Sequence, residues 1–264
     1  MRRPIAFAAA ALTAVAVLSA CGSSDGDTAT PAGSAGSSPA LTGQITVFAA
    51  ASLTGSFTDL GKKFEAAHPG TKINFSFGPS SGLATQITAG SPADVFASAS
   101  AKTMDTVVTA KAANTPTTFA KNVMEIAVPP DNPAKITAVA DLAKADVKVA
   151  LCAAEVPCGV GAHAVFTNAK LTVKPVTEEV DVKATLTKVQ LGEVDAGVVY
   201  VTDVLAAGDK VNGIPIPADV NASTSYPIST LTASKNTALA QAYVDYVLSA
   251  DGAQALTTAG FEKP

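Results

Sequence analysis

The chain has 264 residues and 18 Lys and Arg against 22 Asp and Glu, a formal charge of −4 at pH 7 that falls by two more if Arg2 and Arg3 leave with a signal. An acidic balance without a basic stripe disfavours nucleic acid as a partner. Once its low-complexity beginning is set aside, about 220 residues remain, enough for one big domain or two small ones around a large core.

Arg2 and Arg3 precede an almost uninterrupted apolar stretch from Pro4 to Ala20, which ends in Leu18-Ser19-Ala20-Cys21. A membrane span needs about 20 apolar residues, and this run stops at small residues with no basic flank behind it, so an export signal over residues 1–20 is expected. Leu-Ser-Ala-Cys resembles the lipobox of bacterial lipoproteins, which implies that Cys21 is acylated and anchors the mature chain to the outer face of the cytoplasmic membrane. From Gly22 to about Leu41 the residues are Gly, Ser, Ala, Thr, Pro and Asp with almost nothing to bury. Residues 21–41 therefore read as the anchor and a flexible tether with a root-mean-square reach on the order of 25 Å.

From Thr42 onward, short runs rich in β-branched residues alternate with helical periodicity. Strands are expected at Ile45 to Ala49, Lys72 to Phe77, Val95 to Ala97, Val123 to Val128, Lys148 to Leu151, Ala196 to Tyr200 and Ile228 to Thr232. Helices are expected through Phe57, Leu60 and Phe64, and over Leu83 to Ala89, with a closing pair over Ala238 to Leu248 and Asp251 to Ala259. The alternation predicts an α/β protein with mainly parallel sheets. The stretch from Asn122 to Pro227 carries its own strand and helix set behind a turn containing Pro129, Pro130 and Pro133. It reads as a second domain inserted into the first. Cys152 and Cys158 remain after Cys21; an even pair in an oxidising compartment suggests a disulfide, with two buried free thiols as the alternative.

Four places share one local design, a strand running into small or hydroxyl residues and then directly into a helix. They are Ala49-Ala50-Ala51-Ser52-Leu53-Thr54, Gly78-Pro79-Ser80-Ser81-Gly82-Leu83, Val156-Pro157-Cys158-Gly159-Val160 and Glu179-Val180-Asp181-Val182-Lys183-Ala184. The first turn of a helix leaves backbone N–H groups unpaired, and its dipole favours negative charge beyond the terminus. Several such ends aimed at one spot make an anion site, to which Ser52 and Ser80 add hydroxyl donors. Singly each signal is weak, since Ser or Asp before a helix is usually an N-cap, the role expected of Asp181.

The run Ile45-Thr46-Val47-Phe48-Ala49-Ala50-Ala51-Ser52-Leu53-Thr54 resembles the opening strand and loop of the periplasmic molybdate-binding proteins of ABC importers. Further matches follow in order: Ser80-Ser81-Gly82-Leu83-Ala84-Thr85-Gln86-Ile87, Gly90-Ser91-Pro92-Ala93-Asp94-Val95-Phe96 with Ser98-Ala99, Val156-Pro157-Cys158-Gly159, Asp181-Val182-Lys183-Ala184, and Gly197-Val198-Val199-Tyr200-Val201-Thr202-Asp203. The resemblance covers about Gly43 to Lys263. It implies a two-lobed periplasmic-binding-protein fold of type II, with lobe I at 42–121 plus 229–264, lobe II at 122–228, and the ligand in the cleft.

The same resemblance implies molybdate or tungstate as the ligand, held without a counter-ion by the hydroxyls of Ser52, Ser80 and Tyr200 and the amides of Cys158 and Val182. Molybdenum would be present only as the bound oxyanion, and no cofactor is implied. Alanine commonly follows the Val-Pro in that family, and this chain has Cys158; a backbone N–H contact tolerates the change, and a bond to Cys152 would brace the loop. Ser81 remains a rival to Ser80, and Tyr200 could be a core tyrosine. Asp94 and Asp203 are given structural roles, since a carboxylate would repel the anion. The expected partners are an ABC permease and, through Cys21, the membrane, with the protein a monomer.

Enzymatic readings find little support. His68 falls at a helix terminus and His163 within a helix, neither with metal-ligand spacing, and a nucleophile elbow, a P-loop and a paired acid are missing. A non-enzymatic protein is expected. Binding of another solute such as sulfate or an iron chelate, and a surface adhesion role, are the rival classes.

Overall fold

The computed structural model describes residues 41–264. The expected signal, the expected acylation site Cys21 and the expected tether as far as residue 40 lie outside the described residues. Among those residues no helix is long and apolar enough to cross a membrane.

The first strand, β1 (Gly43–Ala50), enters the centre of a sheet between β2 (Thr71–Gly78) and β3 (Val95–Ala97), parallel to both. Its last four residues are all buried, as befits a strand covered on both faces. Helix α1 (Thr54–Ala67) buries Phe57, Leu60, Gly61 and Phe64, a stripe at helical spacing. Gly61 is required for the close approach, because a Cβ there would stand 2.6 Å from the ring of Phe75 on β2. The helix stops at His68, where Pro69 cannot continue it and Gly70 turns with φ +92°. Helices α2 (Ser80–Thr88) and α3 (Ala101–Thr109) follow β2 and β3, the latter capped by Ser100, whose side chain accepts the Thr103 amide.

Strand β4 (Thr117–Val128) is twelve residues long. Its first half pairs antiparallel with β9 (Ser223–Thr230), and its second half pairs antiparallel with β7 (Ala196–Tyr200) and β8 (Asn212–Pro215). β5 (Val149–Cys152) lies parallel to β7 and to β6 (Thr177–Glu179). The described strands thus form one sheet ordered β2-β1-β3-β9-β4-β7-β5-β6, with β8 beside β4. Helices α4 (Pro157–Asn168), α5 (Val182–Gln190) and α6 (Val201–Ala207) follow β5, β6 and β7, and α7 (Thr237–Leu248) with α8 (Ala250–Thr258) closes the chain.

The α/β class holds, but the sheet is mixed rather than mainly parallel. β9 and β4 run against their neighbours because they carry the chain from one half to the other and back, and a strand that returns along the same edge must reverse direction. Apolar packing divides accordingly. One core gathers Ile45, Val47, Phe57, Phe64, Tyr226 and Tyr243, while another gathers Met124, Val149, Leu151, Val165, Val198 and Tyr200. A smaller cluster, with Phe48, Leu83, Phe96 and Met104, lies on the opposite face of β1 and β3.

Most expected elements fall within two residues of their observed bounds. β4 and β9 begin five or six residues earlier than periodicity suggested, because their polar first residues are held by pairing across the crossover, Thr117 and Thr118 with Ile228 and Pro227, and Ser223 and Thr224 with Val123 and Asn122. β6 and β8 were not anticipated. Their polar residues, Thr177-Glu178-Glu179 and Asn212-Gly213-Ile214-Pro215, belong to sheet margins where pairing is backbone only.

Candidate functional site

All four strand-to-helix junctions singled out in the sequence converge on one cavity. It is lined by Ala51 and Ser52, by Pro79 and Ser80, by Pro157 and Cys158, by Asp181 and Val182, and by Ala99 and Tyr200. The space open to the centre of a water molecule is about 20 Å³. That is little more than one water needs, so the site suits a small compact ligand. No Lys, Arg or His lines it, and its one charged side chain, Asp181, caps α5 by accepting the Ala184 amide at 2.9 Å.

Each donor is placed by its element. Ser52 sits in the tight turn Ala51–Leu53 between β1 and α1, is buried, and has its Oγ 2.9 Å from the hydroxyl of Tyr226. Ser80 is the first residue of α2, is 1% exposed, and accepts the Ala99 amide at 3.0 Å, which leaves its own proton free. Ser81, its rival, does not line the cavity. Pro157 occupies the first turn of α4, where a missing N–H costs nothing, and the Cys158 amide follows with no intrahelical acceptor. Val182 opens α5 in the same way.

Cys152 and Cys158 are bonded, tying the end of β5 to the start of α4. Gly159 beside them is obligatory, since a Cβ there would stand 1.9 Å from the Ala153 carbonyl oxygen. α4 therefore begins hard against the strand end.

Tyr200 ends β7 and is 1% exposed, yet its hydroxyl has no hydrogen-bond partner. Burial, followed by the neighbouring Tyr226 and Asp203, pushes this phenol well above its ordinary range, so it stays neutral and able to donate. A buried donor without an acceptor is costly, and one at a cavity wall is an invitation to a ligand oxygen.

Asp203, in the first turn of α6, is fully buried and accepts the Tyr200 amide at 3.3 Å. Lys183 Nζ stands 2.9 Å from its Oδ1 as an ion pair. Burial raises the Asp203 carboxyl and Lys183 opposes the rise. Asp94 is equally structural, accepting the Thr46 amide at 2.7 Å and the Ser234 hydroxyl at 2.6 Å. Neither carboxylate lines the cavity. A wider groove of about 620 Å³ runs between α1, α6 and α8; Ser52 lies on its wall as well, with Lys63, Lys183 and Asp251, but Ser80, Cys158, Val182 and Tyr200 do not line it.

Two contributors escaped sequence reading. Ala99 supplies the amide that orients Ser80, and Tyr226 stands behind Ser52. Ala99 falls within a quoted motif but has no side-chain chemistry to mark it. Tyr226 lies 174 residues from its partner, and no local spacing could have paired them.

Residues 45–262 match the model of the bacterial extracellular solute-binding protein family. The chain is 41% identical over 251 residues to the molybdate-binding protein ModA of Mycobacterium tuberculosis, covering 95% of this chain and 94% of that one. It is 32% identical over 244 residues to the molybdate-binding protein ModA of Escherichia coli, covering 86% and 92%. Among solved structures, the periplasmic molybdate-binding protein of Azotobacter vinelandii superposes with a TM-score of 0.75 at 19% identity, covering 83% of this chain and 99% of that one, which speaks for the fold. With a family match over nearly all the described residues, the chain belongs to the bacterial extracellular solute-binding proteins.

Proposed function

We propose that this protein captures molybdate, with tungstate as an equivalent ligand, and delivers it to the permease of an ABC importer. The observation that carries the reading is a small cavity walled by helix starts and hydroxyls without a basic side chain, with Tyr200, whose buried hydroxyl is unpartnered, among its lining residues. Ser52, Ser80 and Tyr200 donate through hydroxyls, and Cys158 and Val182 through backbone N–H groups. Oriented amides and hydroxyls stabilise a dianion while excluding the strong, unspecific pull of a lysine or arginine. Such a cage sorts ligands by protonation, because a phosphate that keeps a proton at neutral pH wants an acceptor that is scarce here. The names of the relatives agree with this ligand.

In this reading residues 42–121 with 229–264 form one lobe and 122–228 the other. Ser52 and Ser80 come from the first, Cys158, Val182 and Tyr200 from the second, and β4 and β9 are the crossovers. Tyr226 and Ile228 pack in the first core while Val220 and Ala222 pack against the second, which favours moving the boundary on the return strand from 228/229 to between Ala222 and Tyr226. Closure is driven by contacts the ligand makes only when both lobes reach it. Acylation of Cys21 holds the monomer at the outer face of the membrane, near the permease.

Titration calorimetry with molybdate, tungstate, sulfate and phosphate tests the ligand. Tight binding of the first two and weak or absent binding of the others is expected. Binding of sulfate alone overturns the choice.

A further inference from the structure

Both serines in the cavity are met from behind. A hydroxyl carries one proton and two lone pairs. The Ala99 N–H can only donate, so its contact with Ser80 Oγ at 3.0 Å leaves the Ser80 proton for the cavity. Ser52 Oγ instead meets another hydroxyl, that of Tyr226 at 2.9 Å, and either oxygen can give the proton. If Ser52 gave it, Ser52 would turn lone pairs toward an anion. If Tyr226 gives it, Ser52 behaves as Ser80 does.

Tyr226 is built to hold one position. It is 0% exposed on β9, and its ring packs edge-on against Phe119, Tyr200 and Phe261, with centroids 6.2, 6.1 and 5.3 Å away. It does not line the cavity. Burial pushes its phenol above the ordinary range, so the proton stays available at physiological pH. The two residues lie on different elements, Ser52 beside β1 and Tyr226 on the strand that crosses back from the second half of the sheet.

Resting on the oxyanion reading above, we propose that Tyr226 is a positioning residue that donates its hydroxyl proton to Ser52 and so commits the Ser52 proton to the bound oxyanion. A run of hydroxyls that all donate in one direction polarises along its length, and the last member, Ser52, becomes the better donor. Ala99 performs the same office for Ser80 through the backbone, where no substitution short of proline removes it. Tyr226 is the member of this arrangement that mutation can test.

The test is a double-mutant cycle on the full chain, read by calorimetry with whichever of molybdate, tungstate, sulfate or phosphate the unaltered protein binds. Tyr226→Phe keeps the ring and should weaken binding about tenfold, the worth of one charge-assisted hydrogen bond made poorer. Ser52→Ala should weaken it at least as much, and the double variant no further than Ser52→Ala alone, since Tyr226 acts through Ser52. Multiplying effects in the double variant, or unchanged affinity in Tyr226→Phe, overturns the inference. A second measurement needs no substitution: in the oxyanion complex, proton NMR should show a slowly exchanging Tyr226 hydroxyl proton with an Overhauser contact to Ser52 Hβ. A complex in which the shared proton belongs to Ser52 also overturns it. If the unaltered protein binds none of the four anions, the oxyanion reading itself fails, an outcome distinct from an additive cycle.

Discussion

Two buried tyrosines have hydroxyls without partners, and they should answer substitution in opposite ways. Tyr243 lies in the aromatic core beside Phe57 and Phe64, its centroid 5.5 Å from that of Phe64, far in sequence and role from the cavity. Removing its oxygen relieves a desolvated group and breaks no bond, so Tyr243→Phe should leave anion affinity unchanged and raise stability by about 0 to 1 kcal/mol in urea unfolding. Tyr200→Phe should also be tolerated by the ligand-free protein, yet weaken anion binding by roughly 1 to 3 kcal/mol, because its acceptor is the ligand. Ser52→Ala should lose a similar amount. Calorimetry that finds both variants at full affinity refutes the assignment of the cavity, whatever the anion.

Loop and helix geometry deliver the backbone donors, and they are fixed by covalent and steric means. The Cys152–Cys158 bond closes a loop of sequence separation 6 at the start of α4. Loop-closure entropy alone puts its contribution at about 2 kcal/mol, so the Cys152→Ser, Cys158→Ser double variant should lose about that much unfolding free energy in urea titrations. Its anion affinity should fall as well, since the Cys158 amide loses its brace. α1 is tied to β2 by a different device: Glu65 accepts the Ile73 amide at 2.8 Å and pairs with Lys72 at 3.0 Å. The amide, foremost, and Lys72 hold its carboxyl below the usual 4.5. A lowered folded value means the unfolded chain binds protons first on acidification, so this stabilisation is complete above 4.5 and lost as pH falls through the lowered value. Urea midpoints of Glu65→Gln should therefore lie below those of the unaltered protein at pH 7 and approach them as pH falls well below 4.5. A gap of constant size across that range would exclude Glu65 as an acid-sensitive tie.

For the whole molecule, charge and architecture have separate consequences. A net negative body cannot attract an anion from a distance, so capture relies on helix dipoles and hydroxyls that act over a few ångströms. Stopped-flow association rates should accordingly change little between low and high salt. A steep fall with added salt would mean that a positive field, absent from the cavity walls, steers the ligand. Architecture enters through β4, which contributes to both cores, and its partner β9; on β4 the buried Asn122 side chain donates to Thr202 at 2.8 Å and ties the crossover to the start of α6. On the proposed two-lobe division, donors split across these crossovers would let the site open and close without rebuilding either core.

The α/β class, most strands and helices, and the four strand-to-helix junctions were readable from local pattern alone, because buried strands and helix stripes impose periods of two and 3.6 on the apolar residues. Local pattern also marked Ser52, Ser80, Cys158 and Val182 as residues at helix starts, where unpaired amides and caps have a compositional signature. It was silent on what happens between distant segments. The polar extensions of β4 and β9, the margins at β6 and β8, the Ala99 amide behind Ser80 and the Tyr226 hydroxyl behind Ser52 depend on pairing across tens to nearly two hundred residues. Only the tertiary structure decided that the junctions meet at one cavity, that Ser80 rather than Ser81 lines it, and that the Tyr200 hydroxyl is left without a partner. Donor identity is a property of residues, whereas donor direction is set by whatever stands behind them in space.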